Sequence, residues 1–303
     1  MVEKATNVGL EKIDKPVAVK AKKKSRLSYL WKELIKSPTG FLGFSILVIV
    51  IFLGVFGDFI TPHDPMASVL SQKLLPPLSE GHLLGTDQLG RDLLSRIISG
   101  TKVSLIIGAV TVVCAGLIGT IIGILSGYFR GWIDAVIMRI VDVSLSVPFI
   151  LLVLVISTVL GAGMKNIIIS LVIAGWVAYA RIVRSEVLAL REKEFVIASI
   201  ATGVPRWEII FKHIIPNLYT PIIVLSSLQA ANYIIAEAGV SFLGFGIQPP
   251  YPAWGNMLSE GRDFIFSSWW LITFPGIAIL LTALGINLLG DWLRDVLDPE
   301  YNK

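Results

Sequence analysis

The sequence predicts an all-α protein that crosses a membrane six times. Of its 303 residues, 54% are hydrophobic and only 16% are charged, which is more apolar surface than one soluble core can bury. Six stretches without Asp, Glu, Lys or Arg recur along the chain. Because a helix needs about 20 such residues to cross the hydrocarbon core of a bilayer, we expect a polytopic membrane protein.

The six predicted spans cover most of the chain after residue 36. They are residues 37–57, 103–129, 143–164, 166–180, 214–236 and 264–290. The fourth span is short, but Arg181 and Arg184 can extend their charged groups from its end toward the interface. The third and fourth spans are separated by a Gly-Ala-Gly segment, which predicts a tight turn between antiparallel helices.

Basic residues are distributed unevenly over the two sides that these spans define. With the N-terminus placed inside, 20 of the 26 Lys and Arg residues fall inside and six fall outside. Because inside loops are enriched in Lys and Arg, we expect both termini to be cytoplasmic. This topology accounts for the net charge of +4, and no nucleic-acid partner is predicted, since no basic stripe is interleaved with exposed aromatic residues.

The segment before the first span has two parts. Residues 1–26 are rich in Lys and lack apolar periodicity, which predicts a disordered basic tail rather than a signal peptide. An amphipathic helix is predicted next by apolar residues at helical spacing, namely Leu27, Leu30, Trp31, Leu34 and Ile35. This helix either lies along the cytoplasmic interface or packs on the other helices.

The chain is therefore expected to divide into four regions. They are a basic cytoplasmic tail at 1–26, the interfacial helix with the first span and an external loop at 27–101, a five-helix core at 102–298, and a cytoplasmic tail at 299–303. The core includes a cytoplasmic loop at 181–216.

Glycine and proline positions within the spans predict close packing and helix breaks. Gly119, Gly123 and Gly127 recur every four residues in the second span, so one face admits another helix backbone, from this chain or from a partner. Pro148 and the Phe-Pro-Gly segment at 274–276 interrupt backbone hydrogen bonding. They predict either structural kinks or a hinge that lines a pathway.

The residues that catalysis or metal binding would need are sparse. Cys114 is the single cysteine and lies in an apolar run, which disfavours both a disulfide and a reactive thiolate. His63, His82 and His213 are scattered and lack the spacing of metal ligands on a helix. We therefore expect no metal and no other cofactor, and no intramembrane enzyme.

Polar residues within the spans are few. Those singled out near the middle or end of a span are Ser157, Thr158, Gln229, Asn232, Thr282 and Asn287. Glu237, Asp142 and Arg139 fall at span ends, so the spans lack the central carboxylates that proton-coupled or sodium-coupled carriers commonly use. This pattern disfavours a secondary transporter and suggests an energy source on another chain.

The longest inside loop carries the most informative pattern. Gly203 supplies a chain reversal and Pro205 a residue of a first helical turn, which predicts two short helices joined by a sharp corner. A rigid elbow of this kind can transmit a partner's motion to the fourth and fifth spans. The alternative is a loop that only connects those spans.

This loop resembles the cytoplasmic signature of bacterial ABC importer permeases, which runs Glu-Ala-Ala, three residues, Gly, nine residues, Ile, one residue, Leu-Pro. The spacing is kept in full by Ile197-Ala198-Ser199, Gly203, His213 and Ile215-Pro216. Ile197 replaces the family Glu, and Glu194 is the residue expected to take over its polar contact.

The resemblance implies that the elbow docks in a groove of an ATP-binding subunit. Ala198 and Gly203 would make the closest approach. The residues expected at this contact are Glu194, Phe195, Ala198, Ser199, Gly203, Pro205, Arg206, Trp207 and Pro216.

Two further blocks resemble the C-type permeases of the oligopeptide, dipeptide and nickel importers. One is Leu-Gly-Thr-Asp-Gln-Leu-Gly-Arg-Asp-Leu-Leu-Ser-Arg at 84–96, before the second span. The other is Gly-Val-Ser-Phe-Leu-Gly-Phe-Gly at 239–246, after the fifth span, followed by a Trp-Gly pair at 254–255. The resemblance extends over nearly all of residues 31–298.

The first block also predicts local structure. Thr86 or Asp87 is expected to cap a short helix that lies at the outer interface. Its apolar face would comprise Leu89, Leu93, Leu94, Ile97 and Ile98, and its water-facing side Arg91, Asp92 and Arg96.

Together, the two blocks are expected either to receive a loaded binding protein or to plug the outer mouth. The residues expected there are Gly85, Thr86, Asp87, Gly90, Arg91, Asp92, Phe242, Leu243, Gly244 and Trp254.

The resemblance implies the type I fold of ABC importer permeases and a non-catalytic pore subunit of the bacterial inner membrane. Its implied partners are a homologous B-type permease, two ATP-binding subunits and an external substrate-binding protein. The implied substrate is a di- or oligopeptide, with nickel complexes, glutathione and sugar-derived oligomers as alternatives. The sequence has no Gly-x4-Gly-Lys-Ser/Thr phosphate loop, so ATP hydrolysis is expected on partner subunits.

Overall fold

The computed structural model describes residues 26–297, and its regular structure there is helical. The α-helices of this part of the chain are α1 Arg26–Lys36, α2 Pro38–Ile60, α3 Leu93–Phe129, α4 Gly131–Leu145, α5 Phe149–Leu160, α6 Met164–Arg191, α7 Glu194–Ala201, α8 Arg206–Ile209, α9 Ile215–Phe242, α10 Trp254–Gly261 and α11 Trp270–Leu297. The tails predicted at 1–26 and 299–303 lie outside the described residues, except for Arg26 at the start of α1.

Within residues 26–297, five helical segments are long and apolar enough to cross a membrane, and a bent pair makes a sixth if its two helices form one span. The five are α2, α3, α6, α8 with α9, and α11. The pair consists of α4 and α5, whose axes meet at 92° around Pro148, the N-cap of α5. The break predicted at Pro148 is confirmed, since proline cannot donate the helical hydrogen bond. The bounds predicted for the third span, 143–164, are wrong, because the two helices cover 131–145 and 149–160.

Three other span boundaries differ from the sequence prediction. α3 begins at Leu93 rather than at residue 103, because the Asp92 side chain accepts the backbone N–H of Ser95 and caps the helix there. α6 has 28 residues, so the fourth span is not short. α11 begins at Trp270 because residues 262–264 form a separate 3-10 turn.

The glycine stripe of the second span packs inside this chain, against α6. A Cβ added to Gly119 would lie 2.3 Å from the carbonyl oxygen of Trp176, and one added to Gly123 would lie 2.7 Å from that of Ala180. Gly127 contacts α6 one turn further on. The residue numbers of α3 and α6 increase in the same direction along this contact. The two helices therefore run parallel, and their C-terminal ends lie at the same end of the bundle.

The amphipathic helix α1 packs only partly on the bundle. Leu34 is buried, and the Trp31 ring meets Phe44 of α2 edge to face at 5.5 Å between centroids. Trp31 and Ile35 nevertheless remain more than half exposed. α1 therefore combines the two predicted arrangements: it contacts the other helices and keeps an outward apolar face suited to a membrane interface.

α3 joins the two ends of the molecule. Its 37 residues span about 55 Å, longer than the hydrocarbon core requires. Its first residues adjoin the 61–92 loop, and Tyr128 near its C-terminus contacts Arg191 at the end of α6. The two regions that the sequence singles out therefore lie at opposite ends of the bundle.

Candidate functional site

The loop between α6 and α9 forms the predicted elbow, defined here as residues 194–214. α7 ends in a Schellman motif: the Gly203 N–H donates to the Ile200 carbonyl and the Val204 N–H to the Ser199 carbonyl, each at 3.1 Å. Gly203 has a φ of +79°, a conformation that favours glycine. The two short helices and their corner are confirmed.

The second half of the elbow differs from the prediction in one detail. Pro205 is the N-cap of α8, one position before the first helical turn. α8 continues into a π-helical turn at Ile210–Ile214 that leads directly into α9. Pro216 lies in the first turn of α9 and has no N–H to donate backward, which is consistent with irregular hydrogen bonding just before it.

The inner face of the elbow is packed on the base of the bundle. Val196, Ile209 and Ile214 are buried and belong to a cluster that includes Tyr128 of α3 and Val187 of α6. Each fully buried aliphatic side chain contributes roughly 1.5–3 kcal/mol. The elbow is therefore attached to α3 and α6 as a rigid body.

The outer face of the elbow is apolar and exposed. Trp207 and Phe211 are 64% and 66% exposed, and three further apolar side chains are more than 40% exposed, namely Phe195, Ile197 and Ile200. Ala198 and Gly203 lie on the surface, and nothing lies within 4 Å of a Cβ placed on Gly203. An exposed apolar patch of this kind is typical of a protein interface.

Polar contacts join the end of α6, just before the elbow, to the end of α3. Arg191 donates to the Tyr128 carbonyl at 2.5 Å, and its guanidinium lies 5.2 Å from the centroid of the Tyr128 ring. Arg130 donates to Glu192 at 2.6 Å, and this hydrogen bond lowers the pKa of the exposed Glu192 carboxyl. The segment that leads into the elbow is therefore fastened to α3 as well as to α6.

The block at 84–96 forms a buried charge cluster at the other end of the bundle. The cluster comprises Asp87, Arg91, Arg96 and Glu260. Asp87 accepts from the Arg91 Nε at 2.6 Å and from Arg96 Nη1. Glu260 of α10 accepts from Arg91 Nη2 and Arg96 Nη1, each at 2.8 Å. The two arginines balance the two carboxylates, so the cluster is neutral overall although it is largely buried.

This arrangement corrects the helix that the sequence predicts here. Neither Thr86 nor Asp87 caps a helix; Asp92 does, and the helix it caps is the membrane-spanning α3. Arg91, Asp92 and Arg96 are buried instead of facing water, whereas Leu89 is 40% exposed. The polar side chains turn inward because their partners lie on Asp87 and on α10.

Two tryptophan side chains, Trp254 of α10 and Trp270 of α11, contact the first predicted block and the start of α3. The Trp254 Nε1 donates to the Ile97 carbonyl at 3.0 Å, and the ring covers Gly100. The Trp270 Nε1 donates to the Thr86 carbonyl at 3.3 Å. Gly85 and Gly90 have positive φ angles and pack against backbone.

The second block contributes less to this cluster than the sequence suggests. Phe242, Leu243 and Gly244 lie at the end of α9, and Leu243 is half exposed. The Gly163 N–H, in the turn between α5 and α6, donates to the Gly246 carbonyl at 3.0 Å. The structure therefore places this block beside the α5–α6 turn, and only Trp254, which follows it, contacts the start of α3.

A cavity of about 700 Å³ opens beside the α4–α5 break. It is lined mainly by apolar residues of α5, α6 and α9, together with Gln229, Asn232 and Tyr233. The Asn232 amide donates to the Gln229 side chain at 2.9 Å, and Asn232 is exposed. Two of the polar span residues identified in the sequence therefore face one apolar cavity of a size that holds a small solute.

One carboxylate lies deeper than the sequence suggests. Glu237 is fully buried, and the hydroxyls of Ser104 and Ser241 donate to it at 3.3 and 2.7 Å. It joins α3 to α9 close to the end that carries the charge cluster. A buried carboxylate of this kind is held by hydrogen bonds rather than by a counter-ion.

Several contact residues were missed by the sequence reasoning. Glu260 and Arg191 lack a local pattern, since a single charge in a loop or at a helix end is ordinary. The histidines are not all scattered either: the rings of His63 and His82 lie 4.8 Å apart, while His213 lies in the elbow. Sequence spacing does not reveal these contacts, because tertiary folding brings the residues together.

Known proteins resemble this chain over almost its whole length. Residues 119–303 match the family model described as binding-protein-dependent transport system inner membrane component. Residues 25–77 match the N-terminal TM domain of oligopeptide transport permease C.

Individual relatives agree with these models. The chain is 39% identical over 286 residues to the probable D,D-dipeptide transport system permease protein DdpC of Escherichia coli, covering 93% of this chain and 95% of the relative. It is 41% identical over 270 residues to the dipeptide transport system permease protein DppC of Alkalihalophilus pseudofirmus, covering 89% and 88%. It is 37% identical over 270 residues to the glutathione transport system permease protein GsiD of Pectobacterium atrosepticum, covering 89% and 90%.

The family model matches more than half of the chain, and the relatives match most of it. The apolar helices agree with a protein that crosses the inner membrane several times. The chain therefore belongs to the binding-protein-dependent transport inner membrane component family, as a C-type ABC transporter permease.

Proposed function

We propose that this chain forms one half of the translocation pore of an ATP-driven importer of short peptides. Its partners are a homologous B-type permease, two ATP-binding subunits and an external substrate-binding protein. The elbow is the observation that carries the proposal, because it offers an apolar docking face on a rigid corner. Relatives named as dipeptide and D,D-dipeptide permeases support the peptide substrate.

The elbow is the proposed coupling element. Its contact with an ATP-binding subunit comprises Glu194, Phe195, Ala198, Ser199, Gly203, Pro205, Arg206, Trp207 and Pro216. Glu194 and Ile197 are both exposed and lie three positions apart, on neighbouring sites of α7. Glu194 is thus placed to make the polar contact that Ile197 cannot make.

Coupling follows from how the elbow is attached. ATP-driven closure of the partner subunits moves the elbow, and buried contacts through Val196 and Ile209 carry that motion to α3, α6 and α9. The pathway then opens outward, and hydrolysis on the partner subunits resets it. This chain supplies no group to the hydrolysis itself.

The proposed orientation places the elbow and both termini in the cytoplasm. The excess of basic residues on the elbow side supports it, with 20 of 26 on that side. The charge cluster strengthens the bias, because Arg91 and Arg96 are neutralised by Asp87 and Glu260. Two of the six external basic residues thus carry no uncompensated charge.

The external loop is the proposed platform for the binding protein. Gly85, Thr86, Asp87, Gly90, Arg91, Asp92 and Trp254 form its packed frame, while Leu243 and the Phe242–Gly244 corner lie beside it. The buried charge cluster supports a rigid platform over a mobile plug, since every member of the cluster is paired. The cavity beside the α4–α5 break is the proposed wall of the pathway.

Purification of the whole complex from its native membrane tests the proposal. We expect a second permease and ATP-binding subunits to copurify, and peptide-loaded binding protein to stimulate ATP hydrolysis. Gly203→Val should uncouple hydrolysis from uptake, since the corner has a positive φ. Gly131→Val is the matched control, because Gly131 also has a positive φ and open space but lies outside the elbow.

Each outcome of this experiment has a defined meaning. Coupled uptake in Gly203→Val at the wild-type level would exclude the elbow as the coupling element. Stimulation by glutathione but not by dipeptides would keep the permease and replace the substrate, an alternative supported by the resemblance to the glutathione permease. Transport by this chain alone would overturn the ABC mechanism.

A further inference from the structure

Two histidines that the proposed transport function does not use, His63 and His82, come together with Asp92 at the start of α3. The His82 Nδ1 lies 2.9 Å from Asp92 Oδ1, and the His63 Nδ1 lies 3.8 Å from Asp92 Oδ2. The two imidazole rings are tilted by 30° with centroids 4.8 Å apart. One ligand atom from each of the three residues lies within 4.8 Å of the other two.

The side chains of His82 and Asp92 and the backbone of His63 are each held by a further contact. The Gln72 Oε1 lies 3.3 Å from His82 Nε2. If a metal ion replaces the hydrogen bond from His82 Nδ1 to Asp92, the ring proton can reside on Nε2 and donate to Gln72, which presents the Nδ1 lone pair to the ion. Asp92 Oδ2 accepts from the Ser95 N–H at 2.8 Å and from the Ser95 hydroxyl at 2.7 Å. The same Ser95 hydroxyl accepts the backbone N–H of His63 at 3.1 Å, which positions the His63 backbone.

The cluster is accessible on one side only. His82 and Asp92 are at most 5% exposed, whereas the His63 side chain is 41% exposed. A cavity of about 300 Å³ adjoins His82 and Asp92, and one of about 410 Å³ adjoins His63. A hydrated ion can therefore reach the donors, and water can complete the coordination.

We infer that His63, His82 and Asp92 form a binding site for a divalent transition metal ion such as Zn²⁺. Two imidazole nitrogens and a carboxylate oxygen are a donor set that Zn²⁺ prefers, with water as the fourth ligand. Tetrahedral Zn²⁺ with these ligands needs donor atoms roughly 3.3 Å apart. Closing the set thus requires the exposed His63 ring to move inward by on the order of 1 Å.

The ion would cross-link two parts of the chain. His63 follows α2, and Asp92 caps α3, so a shared metal would fix the loop between these helices at both ends. The ion would replace the direct hydrogen bond between His82 and Asp92. Because the site exists only in the folded chain, binding of the ion would raise the thermal stability of the protein.

Zinc titration of the purified full-length chain tests the inference. The chain should carry an affinity tag without histidines, be stripped with a chelator, and be titrated with Zn²⁺ by calorimetry. We expect one equivalent to bind, and Co²⁺ to give the visible absorption of a tetrahedral site. His63→Gln should weaken binding at least tenfold, and Gln72→Met by about tenfold through loss of the orienting contact.

The controls separate this site from adventitious binding. His213→Gln removes the histidine of the elbow and should leave the affinity unchanged. His63→Gln should keep the elution profile of the wild type, because the His63 ring is partly exposed. The inference is overturned if the wild type binds no stoichiometric Zn²⁺, or if His63→Gln binds it as tightly as the wild type does.

Discussion

The carboxylate of Glu260 lies 2.8 Å from the Nη2 of Arg91, a residue 169 positions earlier in the chain. This contact closes the loop that follows α2 onto the short helix α10. Arg96 donates to the same carboxylate oxygen, so Glu260 pairs with both arginines. Without Glu260, Asp87 would be the one carboxylate of the cluster that neutralises their two charges. The loop and α10 are thereby joined into one rigid layer over the start of α3.

Glu260→Gln should destabilise the chain by about 2 kcal/mol, since two buried guanidinium groups would be left with one carboxylate. The effect is moderated because Glu260 remains 19% exposed and water can reach it. Thermal unfolding in detergent is the measurement. The exposed Glu80→Gln is the control and should leave the unfolding temperature unchanged. Equal stability of the two variants would show that the cluster does not hold the loop.

Gly119→Ala should prevent α3 and α6 from packing. The added Cβ would lie 2.3 Å from the Trp176 carbonyl oxygen, and neither backbone can move without disturbing the rest of the interface. We expect a loss of about 3 kcal/mol and poor accumulation in the membrane. Gly276→Ala is the matched control, because its nearest neighbour is a flexible leucine atom at 3.9 Å. Similar accumulation of both variants would contradict close α3–α6 packing.

Local patterns predicted the elements that depend on local chemistry. Gly203 and Pro205 indicated the elbow from local chemistry. Glycine readily adopts the positive φ that ends a helix, and proline, which has no N–H, favours the start of the next helix. The glycine stripe indicated a packing face because backbone approach needs small residues. The sequence did not identify α6 as the partner, since that contact depends on the path of the chain between the two helices.

The errors arose where distant residues change an environment. Arg91 and Arg96 were expected to face water because charged side chains usually do. No local sequence pattern identifies Glu260 as their partner. His63 and His82 were not predicted to be metal ligands, because they lack the sequence spacing of ligands on one helix. Sequence spacing does not show that the end of α2 lies beside the start of α3. The bounds 143–164 of the third span were wrong, although Pro148 did indicate a break there, because hydropathy does not show that the helix before this proline begins at Gly131.

The proposed orientation can be tested by cysteine labelling. Cys114→Ser removes the only native cysteine, and single cysteines then replace Ser71 and Lys193, both of which are exposed. A membrane-impermeant maleimide added to intact cells should label the first and leave the second unlabelled until the cells are opened. Labelling of both positions from the same side would exclude the six-span topology.

Trp207→Ala should weaken binding of the ATP-binding subunit. The Trp207 side chain is 64% exposed at the corner of the elbow, where a large aromatic anchor is worth about 2 kcal/mol, or roughly thirtyfold in affinity. The readout is the fraction of ATP-binding subunit that copurifies. Trp132→Ala is the control, since Trp132 is 77% exposed in α4 outside the elbow. Equal recovery with both variants would place the contact elsewhere.

Asn232→Leu should slow peptide uptake about tenfold while leaving assembly intact. Asn232 is exposed at the cavity beside the α4–α5 break, so its amide can bond to a peptide backbone, and loss of such a bond costs about 1.4 kcal/mol. Uptake of labelled dipeptide into cells is the measurement. Thr158→Val is the control, because the Thr158 hydroxyl already donates to the Leu154 carbonyl at 2.8 Å and leaves no donor for a solute. Unchanged uptake in Asn232→Leu would move the pathway away from this cavity, whereas slower uptake with normal elbow coupling would place the cavity on it.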